Sequence, residues 1–99
     1  MFIMNFNVNN INSIIEDFVS TKVLDKGITV NTIIAYKKDL NLFNSWCKAN
    51  KISHIEVKKK DINFYIQFLK EKKINSSTIN RKLSVIKSFY DYLNQMGLI

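Results

Sequence analysis

The side chains able to do chemistry in this chain are mostly cations, hydroxyls and amides. Lys37 and Lys38 stand together in the first half. Ser77, Thr78, Asn80, Arg81, Lys82 and Lys87 crowd into a short stretch of the second. Cations of this kind neutralise phosphates and release counterions, while hydroxyls and amides position a nucleic-acid backbone. Asn80 and Arg81 also carry the groups that match adenine and guanine edges. On spacing alone, a solvated helix face explains the same residues equally well. Catalysis is poorly served. The single histidine, His54, lies in a connection with no cysteine or carboxylate pattern that would complete a triad, and reads as an exposed loop residue. Cys47 recurs with apolar residues at helical spacing, which makes it a buried, inert thiol. The carboxylates are scattered. No catalytic residue, metal site or cofactor is expected.

These groups must be positioned by helices. The chain has no proline and two glycines, Gly27 and Gly97, so neither frequent turns nor a glycine-rich phosphate loop is available. Four amphipathic segments follow from the three- and four-residue recurrence of apolar side chains. Segment A, about 10–22, carries Ile11, Ile14, Ile15, Phe18 and Val19, and Gly27 follows it. Segment B, about 30–50, carries Ile33, Tyr36, Leu40, Phe43 and Cys47, with Trp46 alongside and Thr29 or Asn31 as N-cap. Segment C, about 59–72, carries Ile62, Tyr65, Ile66 and Leu69, widened by Phe64 and Phe68. Segment D, about 77–95, carries Ile79, Leu83, Ile86, Tyr90 and Leu93 with Phe89, is capped by Ser76 or Ser77, and stops at Gly97. The short connections fit a compact all-α bundle.

Composition agrees with one small globular domain. Of 99 residues, 46% are hydrophobic, which rules out a disordered chain and, at this length, a multi-domain enzyme. The net charge is +7, unevenly placed: residues 1–36 sum to −1 and residues 37–99 to +8. Such asymmetry points to one basic face, with nucleic acid or an anionic membrane as candidate partners. The Lys58–Lys59–Lys60 run reads as a solvated helix start, with a supplementary phosphate contact as its functional alternative. One cysteine excludes an intramolecular disulfide, and a cytoplasmic location is expected. The longest apolar runs are far short of the ~20 residues needed to span a bilayer, so no transmembrane segment is expected, and nucleic acid is favoured over a membrane as the partner.

Two motifs carry a resemblance. Thr32, Tyr36, Asp39-Leu40, Phe43 and Trp46 form T-x3-Y-x2-D-L-x2-F-x2-W. Ser77-Thr78-Ile79-Asn80-Arg81-Lys82-Leu83-Ser84, followed by Phe89-Tyr90-x-Tyr92-Leu93, forms S-T-x-N-R-K-L-S…F-Y-x-Y-L. In order and separation they resemble the N-terminal core-binding (SAM-like) domain of tyrosine recombinases, the phage integrase and Xer group. The resemblance runs from about residue 11 to 99. It implies a compact four-helix orthogonal bundle over 10–99, behind a flexible segment 1–9. It also implies that segments B and D cross the DNA major groove while a separate catalytic domain closes from the other side.

Carried onto this sequence, Thr32, Ser77, Thr78, Asn80, Arg81 and Lys82 become the DNA-facing candidates. Lys37, Lys38 and Lys87 join them on charge and helix face, and Asp39 is placed to pair with a basic residue of segment D. The family's chemistry uses an arginine pair, a histidine motif and a tyrosine nucleophile in its second domain, whereas this chain has Arg81 alone. The expectation is therefore a DNA-binding portion without the catalytic domain, unable to cleave DNA by itself. Its expected partners are a double-stranded recombination site and other recombinase protomers of the full-length protein, and the isolated domain is expected to be a monomer. The alternatives are a helical protein-interaction module, with acidic segment A as its contact, and a small stand-alone DNA-binding regulator.

Overall fold

Four helices follow one another in the computed structural model, which describes residues 11–53 and 56–99: α1 (Ile11–Lys26), α2 (Val30–Ala49), α3 (Lys59–Glu71) and α4 (Ser76–Gln95). The all-α expectation holds, with each helix where the apolar recurrence put it. Residues 1–9 and His54 lie outside the described residues.

Helix ends differ from the sequence reading in informative ways. α1 continues past residue 22 to Lys26, because Gly27 adopts φ +58° and ends the helix with its N–H on the Val23 carbonyl at 2.9 Å. Thr29 caps α2, its Oγ1 accepting from the Thr32 N–H at 3.2 Å. The α4 cap is Asn75, neither Ser76 nor Ser77: its Oδ1 accepts from the Thr78 N–H at 2.9 Å. Asp61 answers the lysine run at the start of α3. Its carboxylate accepts from the Lys58 backbone N–H at 2.9 Å and places a negative charge in the first turn, where the helix dipole favours it.

Helices α2, α3 and α4 all stop in the same way. A residue in the left-handed region follows the C-cap, and the next N–H reaches back to the carbonyl five residues earlier: Ile52 to Cys47 at 2.9 Å, Ile74 to Leu69 at 3.1 Å, and Leu98 to Leu93 at 2.9 Å. This is the Schellman motif, which glycine usually supplies. Gly97 does so for α4 (φ +70°), but Lys51 (φ +57°) and Lys73 (φ +62°) hold the position in α2 and α3. Each returning residue, Ile52, Ile74 and Leu98, packs onto the core, and that contact offsets the cost of a side chain at positive φ.

The core is aromatic and continuous. Phe18 of α1 is fully buried and meets Phe89 edge-on (ring centroids 5.4 Å apart) and Tyr92 (5.6 Å) of α4. Phe43 and Trp46 of α2 pack on Tyr65 of α3 at 4.9 and 5.1 Å. Such pairings add to the area they bury. α1, α2 and α4 all touch one another, and the α2–α4 contact is the most extensive. One apolar expectation fails: Phe64 faces out, 60% exposed, because α3 turns Tyr65 and Leu69 inward and the stripe is narrower than the sequence suggests.

Candidate nucleic-acid interface

Helix α4 positions most of the candidates. At about 100° per residue, Ser77, Asn80, Arg81, Ser84 and Lys87 fall within one arc, and all five lie on the open side of the helix. Ile79, Ile86, Phe89 and Leu93 occupy the opposite side and are buried. Thr78 is half-buried, its N–H committed to the cap.

Arg81 is fixed by a partner on α2. Its Nε and Nη2 donate to the two carboxylate oxygens of Asp39 at 3.2 and 3.0 Å, a bidentate pair that locks the guanidinium plane. Asp39 is 1% exposed, whereas the Arg81 side chain remains 50% exposed. A guanidinium has five N–H groups, so those not used by Asp39 remain for an outside acceptor. The expected pairing of Asp39 with a basic residue of segment D is thus double, because the same carboxylate also holds Lys82, whose Nζ lies 2.9 Å from Oδ1.

Lys82 departs from the expectation for it. It was a DNA-facing candidate, but its side chain is 11% exposed and its ammonium is spent on Asp39. A cation in that position offers a phosphate no open face. The signal was present in the sequence: Ile79, Lys82, Ile86, Phe89 and Leu93 recur at helical spacing, and Tyr36, Asp39, Phe43 and Trp46 do the same on α2. A lysine on one apolar stripe and an aspartate on another must neutralise each other when both stripes are buried.

Lys37 also departs. Its Nζ lies 2.8 Å from a Glu16 oxygen on α1, so it sits on the flank of α2 that faces α1. Asp39, two residues and about 200° onward, faces α4. Lys37 is therefore on the far side of α2 from Arg81. Lys38 is exposed, and Thr32, seven residues before Asp39 and so on nearly the same flank, is half-buried with its hydroxyl 3.0 Å from that of Thr29. By helical phase Thr32 shares the Asp39 flank of α2, whereas Lys37 lies on the opposite one.

Two lysines join the arc from the start of α3. Val57, Lys58, Lys59 and Ile62 face Leu83, Ile86, Lys87 and Tyr90 across a groove of about 420 Å³. Lys87 thereby stands beside Lys58 and Lys59, bringing forward the phosphate-contact alternative for that run.

Cys47 is fully buried, and burial, with the nearby Asp61 charge as a smaller contribution, pushes its thiol up to about 12, so it stays protonated and unreactive. Burial also raises the Tyr65, Tyr90 and Tyr92 phenols, the opposite of what a nucleophile needs. Among the described residues no cluster of histidine, cysteine or carboxylate is placed to hold a metal ion, and no helix is long and apolar enough to cross a membrane.

Comparison with known proteins decides the family. The model of the phage integrase N-terminal SAM-like domain matches residues 15–97. The chain belongs to that family. Similar proteins include tyrosine recombinase XerD of Staphylococcus epidermidis, 32% identical over 82 residues, which are 82% of this chain and 28% of the relative. XerD of Rickettsia prowazekii is 33% identical over 79 residues, covering 80% and 25%. XerD of Proteus mirabilis is 26% identical over 80 residues, covering 81% and 26%. This phage integrase SAM-like domain therefore spans about a quarter of the length of those recombinases. No solved structure matches it significantly. Both quoted motifs fall inside the matched span, and so do Asp39, Arg81 and Lys82.

Proposed function

We propose that the chain binds duplex DNA as the N-terminal core-binding domain of a site-specific tyrosine recombinase acting in DNA recombination and integration. The observation that carries this reading is the α4 arc: an open band of hydroxyl, amide and cationic side chains in which Arg81 is held by a buried carboxylate while half of it remains open to solvent. Thr32 and Lys38 of α2, with Ser77, Thr78, Asn80, Arg81 and Lys87 of α4, form the contact set. Lys58 and Lys59 extend it along the groove. Lys82 supports the set from beneath, and Lys37 stays outside it.

Strand cleavage is assigned to residues beyond this domain, since the one arginine present is engaged with Asp39. The partners are a double-stranded recombination site and, in the whole recombinase, neighbouring protomers; the domain by itself is a cytoplasmic monomer. The test is fluorescence anisotropy of a labelled duplex titrated with the chain over a range of salt. With about four to six phosphates contacted, log K should fall against log salt with a slope between about −4 and −5. A slope near zero, or no binding at low salt, overturns the reading.

A further inference from the structure

The contact between Asp39, Arg81 and Lys82 does more than join two helices. Both oxygens of one buried carboxylate are taken by cations from consecutive positions of α4, yet the two cations end differently: Lys82 is covered and Arg81 is half open. A triad built only to pin α2 to α4 has no need of an exposed arm. We propose that Asp39 is a positioning residue for DNA, holding the Arg81 guanidinium ready for a phosphate, while Lys82 cancels the carboxylate's charge so that the phosphate is not repelled. This rests on the DNA-binding reading above.

Two physical effects support it. A free arginine on a helix surface samples many rotamers and loses that freedom on binding, whereas a bidentate carboxylate removes the freedom beforehand. A lone aspartate beside a phosphate site would offset the arginine's attraction. With Lys82 at 2.9 Å from the same oxygen, the triad keeps one net positive charge, located on its exposed member.

The experiment is a double-mutant cycle on the full chain, read by anisotropy of a fluorescein-labelled, mixed-sequence duplex at low salt. Asp39→Asn with Lys82→Met removes one charge of each sign, so the net +7 is kept, and melting curves confirm that this double variant is folded. Arg81→Ala should weaken binding about tenfold in the native background and about twofold or less in the double-variant background. Asn80→Ala, on the same face but outside the triad, should cost the same in both. That control separates positioning from general loosening of α4.

Lys82→Met alone keeps the Asp39–Arg81 pair and gives a second reading should the double variant fail to fold. It should weaken binding about threefold with an unchanged salt slope, because Lys82 touches no phosphate. Equal costs of Arg81→Ala in both backgrounds overturn the proposal, as does a slope shallower by about one in Lys82→Met. A native chain indifferent to Arg81→Ala overturns the proposal as well, whereas a native chain that binds no duplex at low salt overturns the DNA-binding reading itself, a different result.

Discussion

Replacing Asp39 by asparagine leaves a buried ammonium and a guanidinium without the charge they share. Removing one partner of a buried ion pair costs roughly 3–5 kcal/mol when the survivor stays sealed. Here the Arg81 side chain is half exposed and can turn to water, so most of the cost falls on Lys82, at 11% exposure. A loss of about 2–3 kcal/mol follows for the triad. For a domain of this size each kcal/mol moves the melting temperature by about 4–8 °C, so Asp39→Asn should melt about 10–20 °C lower. Adding Lys82→Met removes the stranded charge and keeps the aliphatic stem in the core. It should return stability to within about 1 kcal/mol of the native chain, since a neutral, well-packed replacement is often as stable as the ion pair. Urea unfolding followed by the fluorescence of the single tryptophan, Trp46, and by far-ultraviolet circular dichroism measures both steps. An Asp39→Asn variant that unfolds at the native midpoint, or a Lys82→Met addition that fails to restore it, would contradict this electrostatic coupling.

Other expectations follow from the same structure. Lys73→Gly should stabilise the domain by about 1 kcal/mol, because lysine there occupies a left-handed conformation at φ +62°; thermal melting checks the sign. Tyr65→Phe should cost nothing or stabilise slightly, because the Tyr65 hydroxyl is buried without a hydrogen-bond partner among the described residues. The Cys47 thiol is raised from its ordinary 9.0 to about 12 by burial, so the unfolded chain ionises first, and this thiol's contribution to stability should be constant below pH 9 and fall as pH rises from there toward 12. The buried phenols of Tyr65 and Tyr90 act in the same direction, and melting temperature against pH reads the sum. Lys37→Ala removes the same charge as Arg81→Ala but from the α1 flank, so its duplex affinity should stay within about twofold of native.

Much of the fold was legible in the sequence because each helix has a regular apolar stripe. Phe18, Phe43, Leu69 and Ile86 all stand on their stripes and all are buried. Less visible were the helix ends. Helices α2, α3 and α4 stop on a left-handed residue, yet only Gly97 is the glycine that would announce it. Asn75 displaced the two serines as cap because an amide one residue earlier reaches the Thr78 N–H equally well. At the candidate site, Ser77, Asn80, Arg81 and Lys87 could be grouped from helical phase alone. The pairing of Lys37 could not be read from charge, because its carboxylate lies 21 residues away, while Lys82 was marked by its place on the apolar stripe and only the choice of partner for Asp39, 43 residues away, stayed open. A lysine such as Lys37 reads as surface until the neighbouring helix supplies its counter-charge.

The proposed DNA-meeting surface is one face, formed by α4 and the adjoining flank of α2. The direct measurement is a titration of the isotope-labelled chain with a short duplex, followed by backbone and arginine Nε–H chemical shifts. Shifts should concentrate at Thr32, Lys38, Ser77, Asn80, Arg81 and Lys87, with Glu16 and Lys37 little changed. Shifts confined to α1, or spread evenly over every lysine, would contradict it.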